Sequence, residues 1–324
     1  MALLEAQALK AYYSVRQGYI QAVDNIDLTL DRDVTLGLAG ESGCGKSTLM
    51  NALMMNVKPP LHLMGGTIVL DGMVISKMDR TELKKDVWGV LVSLVPQSSL
   101  NALMPTMRII DFIKDVIHHH TAASDSEIVS MARKRFEELN LPVDSLSLYP
   151  HELSGGMKQR AVIAVSTLLN PKLLIVDEPT SALDVSTQKQ VLRMLVDLRK
   201  TGIIESMIFV THDIAILRQI ADRITIMYAG KIAESGPTED VLFDPKHPYT
   251  VSLTSAVVTP EPEVRERGLA SIPGEPPDLL DPPEGCRFYP RCTKSMSICR
   301  SVEPPLVKSE GTQLVACHIV SGDG

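Results

Sequence analysis

One nonapeptide limits what this chain can become: Gly40-Glu41-Ser42-Gly43-Cys44-Gly45-Lys46-Ser47-Thr48. It satisfies G-x-x-x-x-G-K-[ST], follows a short apolar run at residues 34–39 and precedes helix-forming residues. A strand, a tight turn and a helix are therefore expected in that order, which is the context the motif requires. The glycines let the backbone curl so that successive N–H groups point inward at phosphate oxygens. The following helix turns its positive end toward the same anion. Lys46 is expected to reach the β- and γ-phosphates, and the Ser47 hydroxyl to ligate Mg²⁺. The expected ligand is a nucleoside triphosphate.

The remaining pattern fits a sheet that carries such a loop. Residues 20–30 alternate loosely between apolar and polar, as in a half-buried strand. Residues 67–72, 90–96, 173–177 and 206–211 read as further short strands, largely apolar. Residues 107–140 read as helical with a polar break at 121–125, and 186–200 as another helix. Apolar strands alternating with helices indicate a parallel sheet covered on both faces. At 324 residues the chain exceeds one average domain, so a main domain with an appendage is expected. The division is expected between an ATPase domain, 1–257, and a C-terminal module, 258–324. Beyond it Pro260, Pro262, Pro273, Pro276, Pro277, Pro282 and Pro283 leave little room for regular structure, and four of the five cysteines lie past residue 285.

Composition removes several classes of function. With 44% hydrophobic and 22% charged residues, wholesale disorder is excluded. A net charge of −7 argues against a nucleic-acid-coating surface, and 4% aromatics against a base-stacking platform. No apolar run approaches the ~20 residues of a membrane helix. The opening Met-Ala-Leu-Leu-Glu lacks a basic stretch followed by an apolar core, so no signal peptide is visible and a cytosolic chain is expected.

Leu173-Leu-Ile-Val-Asp177-Glu178 supplies the second half of a hydrolytic site. A buried strand ending in two carboxylates places Asp177 near the metal, while Glu178 points toward an attacking water as its general base. Farther back, Leu153-Ser154-Gly155-Gly156-Met157-Lys158-Gln159-Arg160 precedes a long helical stretch. Ser-Gly-Gly at a helix start makes a second anion-seeking end. Two such ends on one chain make sense when the second completes a site on another chain. With these residues the sequence resembles the ABC-transporter ATPase family, whose signature is Leu-Ser-Gly-Gly-x-x-x-Arg. The family's other landmarks appear in order: Gln97 after an apolar strand, Ser181-Ala-Leu-Asp184 after the paired acids, and His212 after Ile208-Phe-Val-Thr. The resemblance covers roughly residues 5–245.

The resemblance implies a fold and a set of roles. The fold is α/β: a P-loop NTPase core with a mainly parallel sheet, an antiparallel β subdomain, a helical subdomain at about 98–170, and an irregular C-terminal cysteine module. Gln97 would sense the metal, alongside Ser47 and Asp177, and the attacking water, and couple the site to a membrane partner. His212 would contact the γ-phosphate. Leu153, Ser154, Gly155, Gly156 and Gln159 would meet ATP on an opposite subunit, with Asp184 in the loop that bridges the two. An aromatic ahead of the phosphate loop would stack on adenine; Tyr13 is the choice, with Tyr19 as fallback. Cys44 occupies a free position of the motif, where oxidation or alkylation would block phosphate binding.

The tail narrows the branch. His247-Pro-Tyr-Thr, Ile272-Pro-Gly-Glu-Pro-Pro and Gly285-Cys286-Arg-Phe-Tyr-Pro-Arg-Cys292 are similar to the oligopeptide/dipeptide importer branch. Cys286, Cys292, Cys299 and Cys317 follow a C-x5-C-x6-C-x17-C spacing. Four thiolates with little regular structure between them need something that links them. The branch resemblance implies a [4Fe–4S] cluster; tetrahedral zinc is the chemical alternative, though C-x2-C knuckles are absent. Two disulfides are disfavoured by a reducing compartment. His318 is a substitute ligand or merely a neighbour of Cys317. The nucleotide site is expected to be built from the preceding domain alone, so that it survives loss of the tail.

The resulting expectation is the ATP-hydrolysing subunit of an importer of peptides, or of nickel or oligosaccharides, on the cytoplasmic side of the membrane. It would pair with a second, similar ATPase (a heterodimer before a homodimer), two permease subunits and an extracytoplasmic solute-binding protein, with no nucleic acid. The competing reading is a non-transport ABC ATPase of DNA repair or translation. The interval between phosphate loop and signature holds only ordinary helices and strands, and one ATPase half is present rather than two.

Overall fold

The computed structural model describes residues 1–97, 102–181, 183–255, 272–309 and 311–322. It divides into two compact units: a phosphate-loop unit (Ala2–Leu30, Val34–Ser76, Phe209–Gly324) and a signature unit (Met1, Asp31–Asp33, Lys77–Ile208). The expected boundary at residue 257 lies outside the described residues, and the tail from residue 272 packs as part of the phosphate-loop unit.

In the phosphate-loop unit, strands β1 (Ala2–Val15), β2 (Gly18–Asp31), β4 (Leu61–Leu70) and β5 (Met73–Val74) form a sheet in the order β2-β1-β4-β5. The β1–β4 and β4–β5 pairs are antiparallel. From Asp24 onward β2 alternates strictly, with Ile26, Leu28 and Leu30 turned inward, as period-2 patterning requires. The second sheet segment runs β11-β12-β10-β9-β3. Here β3 (Thr35–Ala39) is parallel to β9 (Arg223–Tyr228), which turns back antiparallel into β10 (Lys231–Pro237). Every residue of β3 is buried, as expected of a strand covered on both faces. The tail is more regular than its prolines suggest: β12 (Leu314–Ala316) pairs with β10, and β11 (Leu306–Lys308) with β12.

In the signature unit, β6 (Val92–Val95) and β7 (Leu173–Asp177) are parallel, in register from Val92↔Leu173 to Val95↔Val176. Strand β8 (Ser206–Val210), wholly buried, carries the chain onward into the phosphate-loop unit. The helix Ile109–His118 buries Ile109, Ile113 and Ile117 at i, i+4 spacing. The helix Asp125–Glu138 starts at a Ser124/Glu127 capping box, which is why the polar stretch before it breaks the helical run. That helix buries Ile128, Ala132 and Phe136; the Phe136 side chain alone contributes roughly 2–3 kcal/mol through burial. Its buried Arg135 donates to the Thr167 carbonyl and to Asn170 Oδ1 (2.6 Å), tying it to the end of the helix Gly155–Ser166.

Candidate nucleotide-binding site

The phosphate loop leaves the buried end of β3 and enters the helix Lys46–Leu53. Its two outer glycines are sterically required. Gly40 has φ +149° and Gly45 φ +105°; a Cβ would lie 2.2 Å from the Met227 carbonyl oxygen in the first case and 2.0 Å from the Ala22 carbonyl oxygen in the second. The helix begins on left-handed Gly45 with no side-chain cap, so the N–H groups of its first turn are not satisfied by a side chain. The Lys46 ammonium, buried, donates to the carbonyls of Gly40 (2.7 Å) and Glu41 (2.9 Å). A cation is thus held over the loop, where an incoming polyphosphate would exchange carbonyl partners for phosphate oxygens.

Cys44 is shielded within the loop. It is 4% exposed, receives the Lys46 ammonium at 3.6 Å, and burial pushes its pKa up. A protonated, shielded thiol reacts slowly, so alkylation in the folded chain is disfavoured. Glu41 has its groups engaged within the protein. Its N–H donates to the Tyr249 hydroxyl (2.9 Å) and its carboxylate accepts from Arg291 (2.7 and 3.0 Å). Tyr13, half-buried on β1, places its hydroxyl 3.2 Å from Thr48 Oγ1, beside the loop's helix; Tyr19 is 47% exposed. The Thr211 N–H donates to the Leu38 carbonyl (3.2 Å), which sets exposed His212 alongside the end of β3 where the loop begins.

On the signature unit the β6–β7 register explains a second constellation. Val95 faces Val176, so Gln97 and Glu178, each two residues further on, emerge together. The Gln97 amide donates to Glu178 Oε2 at 3.0 Å. Glu178 adopts φ +45°, a conformation that costs energy for a non-glycine residue and clusters at functional sites. Asp177 ends β7 half-buried. Asp184 caps the helix Val185–Lys200 by accepting from the N–H groups of Ser186 (2.9 Å) and Thr187 (3.0 Å) and from both hydroxyls. Hydrogen bonds from the Ser186 and Thr187 side chains hold its carboxyl well below the ordinary carboxylate range.

The signature helix Gly155–Ser166 starts at Ser154, whose hydroxyl accepts from the Met157 N–H at 3.3 Å. Ser154 and Gly155 are exposed, and nothing lies within 4 Å of a Cβ built on Gly155. Gly156 is needed for packing: a Cβ there would lie 2.7 Å from Thr187 Cγ2 on the Asp184-capped helix. Gln159 and Leu153 are 2% and 6% exposed, their side chains turned into this chain's own packing.

The four tail cysteines, all free, line one small cavity together with His247 and His318. Burial pushes the Cys286 thiol up to about 11, with neighbouring sulfurs adding to the rise. Among the described residues no group of three or more His, Cys, Asp or Glu side chains is set as a metal site. His318 Nε2 lies 2.9 Å from the Val302 carbonyl, a bond that orients the ring. Three tail residues that motif reading passed over hold the module in place. Arg287 bonds Asp24 (2.7 Å) and the Ala229 carbonyl (2.6 Å), Phe288 packs edge-on against Tyr228, and Arg291 grips Glu41. In the sequence Arg287 and Arg291 show only as neighbours of cysteines, with nothing local to name their carboxylates.

Residues 23–181 match the ABC transporter family, and residues 233–299 match the C-terminal region of oligopeptide/dipeptide transporters. The chain is 39% identical to the dipeptide transport ATP-binding protein DppD of Caldanaerobacter subterraneus subsp. tengcongensis, over 98% of this chain and 97% of that one. It is 37% identical to the oligopeptide transport ATP-binding protein OppD of Bacillus subtilis, over 99% of this chain and 90% of that one. Among solved structures it is similar to the ATP-binding cassette MJ0796 in a dimeric post-hydrolysis state bound to ADP and Pi, with a TM-score of 0.63, 25% identity, and coverage of 72% of this chain and 98% of that chain. With its phosphate loop, signature helix and tail all matched, the chain belongs to the ABC transporter family, among the ATP-binding subunits of the oligopeptide/dipeptide branch.

Proposed function

We propose that this chain is the ATP-hydrolysing motor subunit of an importer that takes up peptides or related small solutes. The observation that carries the reading is the Gln97–Glu178 hydrogen bond at matched strand ends, with Glu178 held in a strained backbone conformation. A base that must take a proton from water at one moment of a cycle needs such a fixed aim. In this reading ATP lies between the phosphate loop of one subunit and Ser154, Gly155 and Gly156 of another. Lys46 and the loop N–H groups hold the β- and γ-phosphates, Ser47 and Asp177 hold Mg²⁺ with Gln97, and His212 meets the γ-phosphate. Tyr13 stacks on adenine, and Asp184 lies at the subunit contact. Attack on phosphorus is aided mainly by positioning and charge stabilisation. No helix among the described residues is long and apolar enough to cross a membrane. In this reading the force passes to two permease subunits from a peripheral position on the cytoplasmic face, with a sister ATPase as partner and a solute-binding protein outside. Turnover of the purified chain, measured alone and with its permeases, tests this: stimulation by the permeases supports a transport motor, and unchanged turnover favours a non-transport ATPase.

The tail carries a second proposal. Four free cysteines around one cavity supply the donor set of a [4Fe–4S] centre, held by Cys286, Cys292, Cys299 and Cys317, or of a four-thiolate zinc site. When bound, the centre would cross-link the tail. Anaerobically purified protein should be brown, and serine at any of the four positions should bleach it. A colourless protein with one zinc per chain replaces the cluster with zinc; disulfides without metal exclude both.

A further inference from the structure

The contact between the tail and the phosphate loop runs through one residue pair. Arg291 sits in a short turn, Tyr289–Arg291, between two of the tail cysteines, with its side chain only 5% exposed. Its two Nη atoms meet the two oxygens of Glu41 at 2.7 and 3.0 Å, the parallel fork that gives an arginine–carboxylate pair both strength and direction. The fork is itself aimed: Nε donates to the Pro273 carbonyl (2.8 Å) and Nη1 to the Tyr228 hydroxyl (3.3 Å).

Glu41 is the second residue of the loop, and three of its groups are fixed. Arg291 holds the carboxylate, the Tyr249 hydroxyl accepts its N–H, and its carbonyl is one of two that hold the Lys46 ammonium. Tyr249 is fully buried in a cluster with Tyr228 and Phe288, and its ring has little freedom to shift. Residue 41 is therefore a post, clamped on two sides by residues more than two hundred positions away, whose third side sets where the Lys46 ammonium lies. Docking of the tail does not require this pair, because Arg287 and Phe288 already anchor it to Asp24, Ala229 and Tyr228.

We infer that Arg291 is a positioning residue for the nucleotide site: through Glu41 it holds the phosphate loop in its binding form, so that affinity for MgATP depends on the tail. This rests on the reading of the loop as the ATP site. It replaces the expectation that the site is independent of the tail.

The test is steady-state ATPase kinetics of the assembled complex carrying Arg291→Ala, Arg291→Lys, Glu41→Gln, or Arg291→Ala with Glu41→Gln. KM for MgATP should rise about tenfold in Arg291→Ala while kcat stays within about twofold, since the loop is displaced and the hydrolytic groups are not. Glu41→Gln should do the same. The double substitution should be no worse than the more severe single one, because both break one link. Arg291→Lys should recover part of the loss, as a point charge replaces a fork. An unchanged KM in folded Arg291→Ala, or additive losses in the double variant, overturns the proposal. Should Arg291→Ala fail to fold, Glu41→Gln, which keeps the side chain's size, gives the same reading. Lys46→Ala separates the two levels: if it abolishes MgATP binding while Arg291→Ala leaves KM alone, the ATP site stands and only the positioning role falls. If Lys46→Ala binds MgATP normally, the site assignment itself fails.

Discussion

Two helix starts of the molecule, one after the phosphate loop and one at the signature, are made in opposite ways. At Lys46–Leu53 the entry is cramped: Gly40 and Gly45 lie against carbonyl oxygens, Lys46 is folded over the loop, and Glu41 is clamped from two sides. At Gly155–Ser166 the entry is open: Ser154 caps its own helix, and Gly155 has no neighbour within 4 Å of a Cβ. The first is a site formed within one chain before any ligand arrives. In the proposed reading the second is a half-site, left exposed for another chain to complete. Lesions in the two should therefore look different, the first in binding and the second in turnover of an assembly.

The largest effect should come from the loop's cation. Lys46→Ala removes the charge aimed at the phosphates, and MgATP affinity of the purified chain should fall roughly hundredfold or more, measured by calorimetric titration. Unaltered affinity would erase the distinction between the two helix starts.

A matched pair of glycine substitutions sharpens it. Gly45→Ala forces a Cβ toward the Ala22 carbonyl at a left-handed φ, and should destabilise the chain by about 2–3 kcal/mol while abolishing MgATP binding. Gly155→Ala meets open space and should change thermal stability by less than about 0.5 kcal/mol and leave binding by the isolated chain intact. Its loss should appear only as reduced turnover of the complex. Equal effects of the two substitutions would break the comparison.

The smallest effect concerns the acid that starts the helix after the signature's neighbour. Asp184 has its pKa lowered from the ordinary 3.8 by the Ser186 and Thr187 hydrogen bonds. A depressed folded value means that the cap's contribution is complete above about pH 3.8 and is lost only as pH falls through the lowered value. Hydrogen exchange at pH 3 should still find the Ser186 and Thr187 amides protected. Protection that disappears with a midpoint near pH 3.8 would mean that the cap is not formed.

These contrasts were unequally visible in the sequence. The phosphate loop, the paired acids and the signature are local patterns whose glycines and strand ends announce themselves; β2 alternates from residue 24 onward, and β3, β7 and β8 show as short apolar runs. Strand β1 was not legible, because register shifts between Gln7 and Lys10 and between Lys10 and Ala11, with Ala8 at φ +47°, break its alternation. The burial of Cys44 and Gln159 could not be read from their motif positions. Arg287, Arg291 and Tyr249 were illegible for a different reason. Their partners lie 263, 250 and 208 residues away, and no local pattern tells an arginine which carboxylate the fold will bring to it. The tail thus read as a cysteine module, and its hold on the loop emerged only from packing.

In the proposed mechanism this chain separates binding ATP from hydrolysing it, with Glu178 as the base. The direct measurement is MgATP affinity and turnover, side by side, in complexes carrying Glu178→Gln. The account predicts near-normal affinity, turnover reduced by roughly 10²–10⁴, and accumulation of a closed, ATP-bound assembly. Weakened binding with turnover intact would contradict it.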